Sequence, residues 1–74
     1  MPYNAKVFGN VVGRLRCEKG LSQAQLSIAV GTSRSHLAMI ESGRRVMRVD
    51  TLWKIAEALD IRPSEMIQRV EDES

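Results

Sequence analysis

Between positions 34 and 48 the chain gathers Arg34, Arg44, Arg45 and Arg48 against a single acid, Glu41. Hydroxyls accompany them at Ser33, Ser35 and Ser42. Such a patch is either an ordinary solvated surface or a face for an anionic partner, of which nucleic acid is the commonest. Other chemistry is poorly supplied. His36 is the only histidine and Cys17 the only cysteine, so a metal ion would need two further carboxylate ligands, and no spacing suggests them. As a nucleophile Cys17 lacks a base and an oxyanion site, and a half-buried thiol is expected instead. Neither catalysis nor any metal or cofactor is expected.

Helices are the elements that must carry these groups. At 74 residues the chain is one domain, near the lower limit for a core that folds unaided. A hydrophobic share of 43% argues against disorder, and with Tyr3, Phe8 and Trp53 the only aromatics the core must be aliphatic. No segment alternates apolar and polar residues long enough for a strand. No stretch approaches a membrane span, and Met1-Pro2-Tyr3-Asn4 has no charged-then-apolar signal character. A lone cysteine forms no internal disulfide, so a reducing cytoplasm is the expected compartment.

Helical periodicity appears five times. The first segment, about Asn4 to Lys19, puts Phe8, Val12 and Leu15 on one stripe and is stopped by Gly20. The second, Gln23 to Val30, starts with Ser22 and Gln25 as a capping box and Leu21 and Leu26 as a hydrophobic staple. Gly31 ends it. Ser33 caps a third, about Arg34 to Ser42, closed by Gly43. A fourth, about Val49 to Leu59, turns Leu52, Ile55, Ala56 and Leu59 inward. Pro63 suits the first position of a fifth, which buries Met66 and Ile67. The expected fold is all-α: a five-helix domain over residues 1–70, with 71–74 a short acidic tail of Glu71, Asp72 and Glu73 before Ser74.

The run from Leu21 to Arg45 amounts to one amphipathic helix broken after Val30. Two short helices joined by a glycine-containing turn cross steeply, and neither is stable alone, so shared packing must hold them. Leu26 and Val30 can meet Leu37 and Ile40. At 100° per residue, Ser35, Met39 and Ser42 then fall opposite Leu37 and Ile40, with Ala38 beside them and Arg34 and His36 flanking. That outer face is small and largely uncharged where a solvent-facing helix would more often carry Glu and Lys. It suits the major groove of a duplex, with one helix supporting and the other reading.

The stretches "GRLRCEKGLSQAQLS", "VGTSRSHLAMIESGRR" and "TLWKIAEALDI" resemble the phage-repressor and Cro-like helix-turn-helix domains, the xenobiotic-response-element type. The likeness runs without gaps from about Phe8 to Ile67. It implies a lambda-repressor-like fold, a DNA-binding function and roles for particular residues. Arg34 and Ser35 would read bases, with Met39 one turn further and His36 and Ala38 beside them. Gln23, Ser33, Ser42, Arg44 and Arg45 would face phosphates, which set position rather than sequence preference. Arg16 and Glu41 match a pair that forms an internal salt bridge in many relatives.

Three departures stand out. Met47-Arg48 replaces the usual cap of the fourth helix, which loses a cap and adds a basic residue on the phosphate side. Arg62 replaces a small cap before the fifth. Ile28 and Ala29 stand where relatives carry charges, so Ile28 is expected to be exposed, while Met47 is read as a loop residue. Trp53 lies beside the inward stripe of its helix. It either lies flat over the fifth helix or forms a homodimer seam with Met66, Ile67 or Val70; the homodimer is favoured, because one short reader makes few contacts. The expected function is a sequence-specific regulator of transcription, a repressor or small operon controller, on double-stranded DNA with a palindromic operator. The surface from Arg44 to Arg48 could also touch RNA polymerase. The competing reading is an antitoxin or adaptor that binds a protein partner.

Overall fold

Five helices form where caps and turn residues permit them to begin and end: α1 (Ala5–Glu18), α2 (Gln23–Val30), α3 (Arg34–Glu41), α4 (Val49–Ala58) and α5 (Pro63–Glu73). The computed structural model describes residues 3–74 and holds no strand among them. Met1 and Pro2, which open the stretch read for signal character, lie outside the described residues. No helix among the described residues is long and apolar enough to cross a membrane. Asn4 caps α1 by accepting from the backbone N–H of Lys6 and Val7. Around α2 the capping box closes in both directions, with Gln25 N–H donating to Ser22 Oγ at 3.0 Å and Ser22 N–H to Gln25 Oε1 at 2.8 Å. Gly31 takes the left-handed conformation at φ 81°, which lets Gly31 and Thr32 both donate to the Ser27 carbonyl. α4 and α5 have no side-chain cap, as Arg48 and Arg62 led one to expect.

The core is aliphatic and continuous. Val11, Val12 and Leu15 from α1 meet Leu26 and Val30 of α2, Leu37 and Ile40 of α3, Leu52, Ile55 and Ala56 of α4, and Met66 and Val70 of α5. α1 packs on α3 and α5, while α2 packs on α3 and α4. Every helix is short, so this mutual burial rather than intrinsic propensity holds them.

Several expectations need correction. Met66 is fully buried and Val70 nearly so, because α5 turns the stripe of positions 66 and 70 into the core; neither is available to a dimer seam. Ile67, expected inside, is more than a third exposed, since its neighbour Met66 takes the inward direction. Met47 lies in the connection between α3 and α4 yet is buried, tucked under Tyr3, whose hydroxyl accepts from the Met47 N–H at 3.4 Å. Cys17 is exposed rather than half-buried, because α1 sets Leu15 and not Cys17 against the core. Residues 71–73 are no tail: they continue α5, and Glu73 is tied to Arg14 of α1 by an ion pair.

Gly9 is buried against the end of α3, where an added Cβ would fall 2.5 Å from the Glu41 carbonyl oxygen and closer still to that of Ile40. Backbone atoms of a packed helix cannot swing aside, so only glycine lets the two helices approach this far. One turn on, a Cβ at Gly13 would stand 3.3 Å from Glu41 Oε1, the far end of a side chain. Gly9→Ala should therefore destabilise by about 1–3 kcal/mol, as overpacking does. Gly13→Ala should nearly hold its midpoint, because alanine's helix propensity, worth about 1 kcal/mol over glycine, offsets a mild contact. Thermal unfolding of the two variants checks the contrast, and equal losses would contradict it.

Candidate nucleic-acid interface

The outward side of α3 is built by what lies behind it. Leu37 and Ile40 are buried, and the helix start is fixed by Ser33, whose Oγ accepts the His36 N–H at 3.0 Å. With that side and that end held, Arg34, Ser35, Met39 and Ser42 are exposed, and His36 and Ala38 are half-buried at the flanks. Among the described residues no other segment covers this face. The side chains of Arg34, Ser35 and Met39 make no hydrogen bond or ion pair among the described residues, whereas Ser42 Oγ donates to the Met39 carbonyl at 3.1 Å.

A largely buried polar knot sets where this face sits. Arg16 of α1 donates from Nε to Glu41 Oε2 at 2.8 Å and from Nη2 to Glu41 Oε1 at 3.1 Å. Its Nη1 reaches the Leu21 carbonyl at 2.8 Å, just ahead of α2. The partners retain only 16% and 10% of their side-chain exposure, so this two-point contact is far more protected than a surface ion pair. The hydrogen bond to Glu41 raises the pKa of the Arg16 guanidinium above its ordinary value, although burial opposes the shift. The knot joins α1, the entrance to α2 and the last residue of α3.

Gln23 belongs to the same knot. Its Nε2 donates to Glu41 Oε1 at 3.1 Å, an orientation the carboxylate demands because it can only accept. One N–H of the amide is thereby committed inward, and the second remains for an outside acceptor. The resemblance implied only the outward role; the link to Glu41 is the part the sequence did not disclose.

Charge divides the molecule. Glu41 is the only acid from Lys19 to Val49, and Arg16 neutralises it. Arg34, Arg44 and Arg45 are exposed with no carboxylate within 4.0 Å among the described residues. Arg48 alone in the cluster has one, Asp50 at 3.3 Å, in a pair too exposed to hold strongly. Glu57, Asp60, Glu65, Glu71, Asp72 and Glu73 all fall in the last third of the chain. The first turns of α1, α2 and α3 carry no acid, whereas α4 has Asp50 and α5 has Glu65.

A second exposed surface is apolar. Tyr3, Phe8, Val46, Met47, Val49, Leu52 and Ile67 line one groove, and Val49 also borders the surface of Trp53 and Lys54. Trp53 is 53% exposed, which leaves one face of the indole accessible. Of the residues expected in a seam, only Trp53 and Ile67 are accessible; Val46 and Val49, which the sequence reading passed over, join them.

A family model described as helix-turn-helix (HTH_3) matches residues 12–66. An uncharacterised HTH-type transcriptional regulator, y4dJ, from Sinorhizobium fredii is 39% identical over 62 residues, which cover 84% of this chain and 80% of that protein. Control protein C.MunI from a Mycoplasma species is 36% identical over 67 residues, covering 89% and 90% respectively. Among solved structures, the restriction-modification controller protein C.AhdI from Aeromonas hydrophila superposes with a TM-score of 0.82. It is 39% identical in sequence, and the match covers 84% of this chain and 94% of that one.

Removing Glu41 would leave the Arg16 guanidinium half-satisfied in a site closed to most water. Glu41→Ala is expected to lower stability by about 2–3 kcal/mol, the scale of hydrogen bonds to a charged group. Glu41→Gln, which keeps an acceptor for Arg16, should lose less. Urea unfolding of both variants measures this. A loss below about 0.5 kcal/mol for Glu41→Ala would mean the pair behaves as an exposed one.

Proposed function

The chain belongs to the HTH_3 helix-turn-helix family of DNA-binding regulators, and from that premise we propose that it controls a small operon as a repressor, acting as a homodimer on a palindromic operator. α3 enters the major groove of double-stranded DNA. Arg34 forks onto a guanine edge, Ser35 hydrogen-bonds beside it, and Met39 meets a thymine methyl, with His36 and Ala38 at the borders of the contact. Gln23, Ser33, Ser42, Arg44, Arg45 and Arg48 hold phosphates on either side, fixing register without carrying sequence information. The observation that carries this reading is the bare outward face of α3, backed by buried Leu37 and Ile40.

Regulation by occupancy requires no catalytic step and no effector domain, and a cytoplasmic location follows from the target. The loop from Arg44 to Arg48 is assigned to phosphates; contact with RNA polymerase is a second use of its outer rim, for a promoter whose operator lies alongside. The adaptor reading wants a free arm or an unpaired tail. It draws no support from the acidic residues, which continue α5, with Glu73 paired to Arg14.

The homodimer is assigned to Trp53, Val46, Val49 and Ile67. Two copies joined there would present two reading helices to half-sites about 34 Å apart and combine their affinities. Selection of bound oligonucleotides from a random pool should return sites with two-fold symmetry and that spacing. Arg34→Ala should relax preference at one position in each half-site at a cost of about 1–3 kcal/mol. Asymmetric sites would overturn the homodimer, and an unchanged preference would remove Arg34 from the reading set. Trp53→Asp, outside the core, should leave the folded signal intact while sedimentation shows monomers.

A further inference from the structure

Gly43 adopts φ 79° just after α3, and the space above it is taken by the first turn of α1. A Cβ there would fall 2.7 Å from Lys6 Cα and 3.1 Å from Lys6 Cβ. Lys6 is therefore seated directly over Gly43, the residue that precedes Arg44, although 37 positions separate the two in sequence. Its side chain is exposed and has no carboxylate within 4.0 Å among the described residues. No acid occurs in the chain before Glu18. Its backbone is held as well, since Lys6 N–H donates to Asn4 Oδ1 at 3.0 Å.

A purely structural use for this ammonium would be to satisfy the last carbonyls of α3. Three of them already have donors: Ser42 N–H reaches Ala38, Arg44 N–H and Ser42 Oγ reach Met39, and Gly43 N–H reaches Ile40. The fourth, that of Glu41, receives no hydrogen bond from the Lys6 ammonium among the described residues. The charge is thus left over at the edge of the Arg44 and Arg45 cluster. We propose that Lys6 is a phosphate-binding residue of the duplex interface, completing with Arg44 and Arg45 a three-cation clamp beyond the end of α3. The assignment rests on the DNA-binding reading above. It adds α1, otherwise a supporting helix, to the surface that holds the duplex.

Counterion release makes this measurable without knowing the operator. Binding of a labelled mixed-sequence duplex is followed by anisotropy across a salt series for wild type, Lys6→Gln, Lys6→Arg, Arg44→Gln and Arg62→Gln. Each lost phosphate contact should reduce the slope of log affinity against log salt by about 0.9 per protomer bound. The drop is expected for Lys6→Gln and Arg44→Gln, while Lys6→Arg keeps the wild-type slope. Arg62→Gln, which removes the same charge among Glu57, Asp60 and Glu65, should keep it too. Thermal midpoints should not move for Lys6→Gln. An unchanged slope in Lys6→Gln beside a reduced one in Arg44→Gln overturns the proposal and leaves the DNA-binding reading standing. A lowered midpoint with unchanged slope overturns it by giving Lys6 to the fold, and an equal drop in Arg62→Gln overturns it as a general charge effect. If wild type retains no duplex at any salt, the DNA-binding reading falls and the Lys6 assignment with it.

Discussion

Arg16 and Glu41 are the point at which three helices agree on where they are. A guanidinium fork has five donors in one plane, and here three of them are spent on two partners: both oxygens of Glu41 and the carbonyl of Leu21. Because the fork is planar, satisfying all three fixes orientation as well as distance. α1 therefore dictates both where α2 begins and where α3 ends. Gly9 makes this possible, since any side chain at that position would hold α3 too far away for the pair to close. Gln23 then inherits its orientation from a carboxylate that is already committed.

The same economy governs the surface. An eight-residue helix has no stability of its own, so α3 exists because Leu37 and Ile40 are buried and Ser33 caps its start. With half of its circumference committed inward, the other half is free to carry whatever a partner requires. Charge follows the same division. The acids are concentrated in the last third of the chain, and the single carboxylate on the basic side is silenced by Arg16. A duplex approaching from the wrong side meets repulsion, so long-range orientation comes before any specific contact.

The extent to which this was legible depends on how local each signal is. Ser22 with Gln25, Gly31 and Ser33 act within four residues, so the bounds of α2 and the start of α3 could be read directly from the sequence. So could the inward direction of Leu37 and Ile40, which needs only the helical period. Position 66 was read both as core and as seam, because periodicity reports that a residue is apolar on one face, without saying whether that face meets the domain or a second copy. Met66 and Val70 are claimed by the core, leaving Trp53 and Ile67 outside. Residues 71–73 were read as a tail from their run of acids alone. The ion pair between Arg14 and Glu73, 59 positions apart, is a tertiary fact that composition cannot announce. Gly9 and Lys6 were missed for the same reason: each matters through a neighbour more than thirty positions away.

The outer residues of α3 contribute almost nothing to the fold's own bonding. Arg34, Ser35 and Met39 neither cap, pair nor fill the core, so the domain would not register their replacement as damage. On the proposed reading of these three as the base-contacting residues, address and chassis are separable in this molecule. A library randomised at those three positions should stay folded nearly throughout, which makes the domain a ready host for retargeting. It also means that lineages could drift to new operators through neutral steps, with no stability barrier between one recognition code and the next.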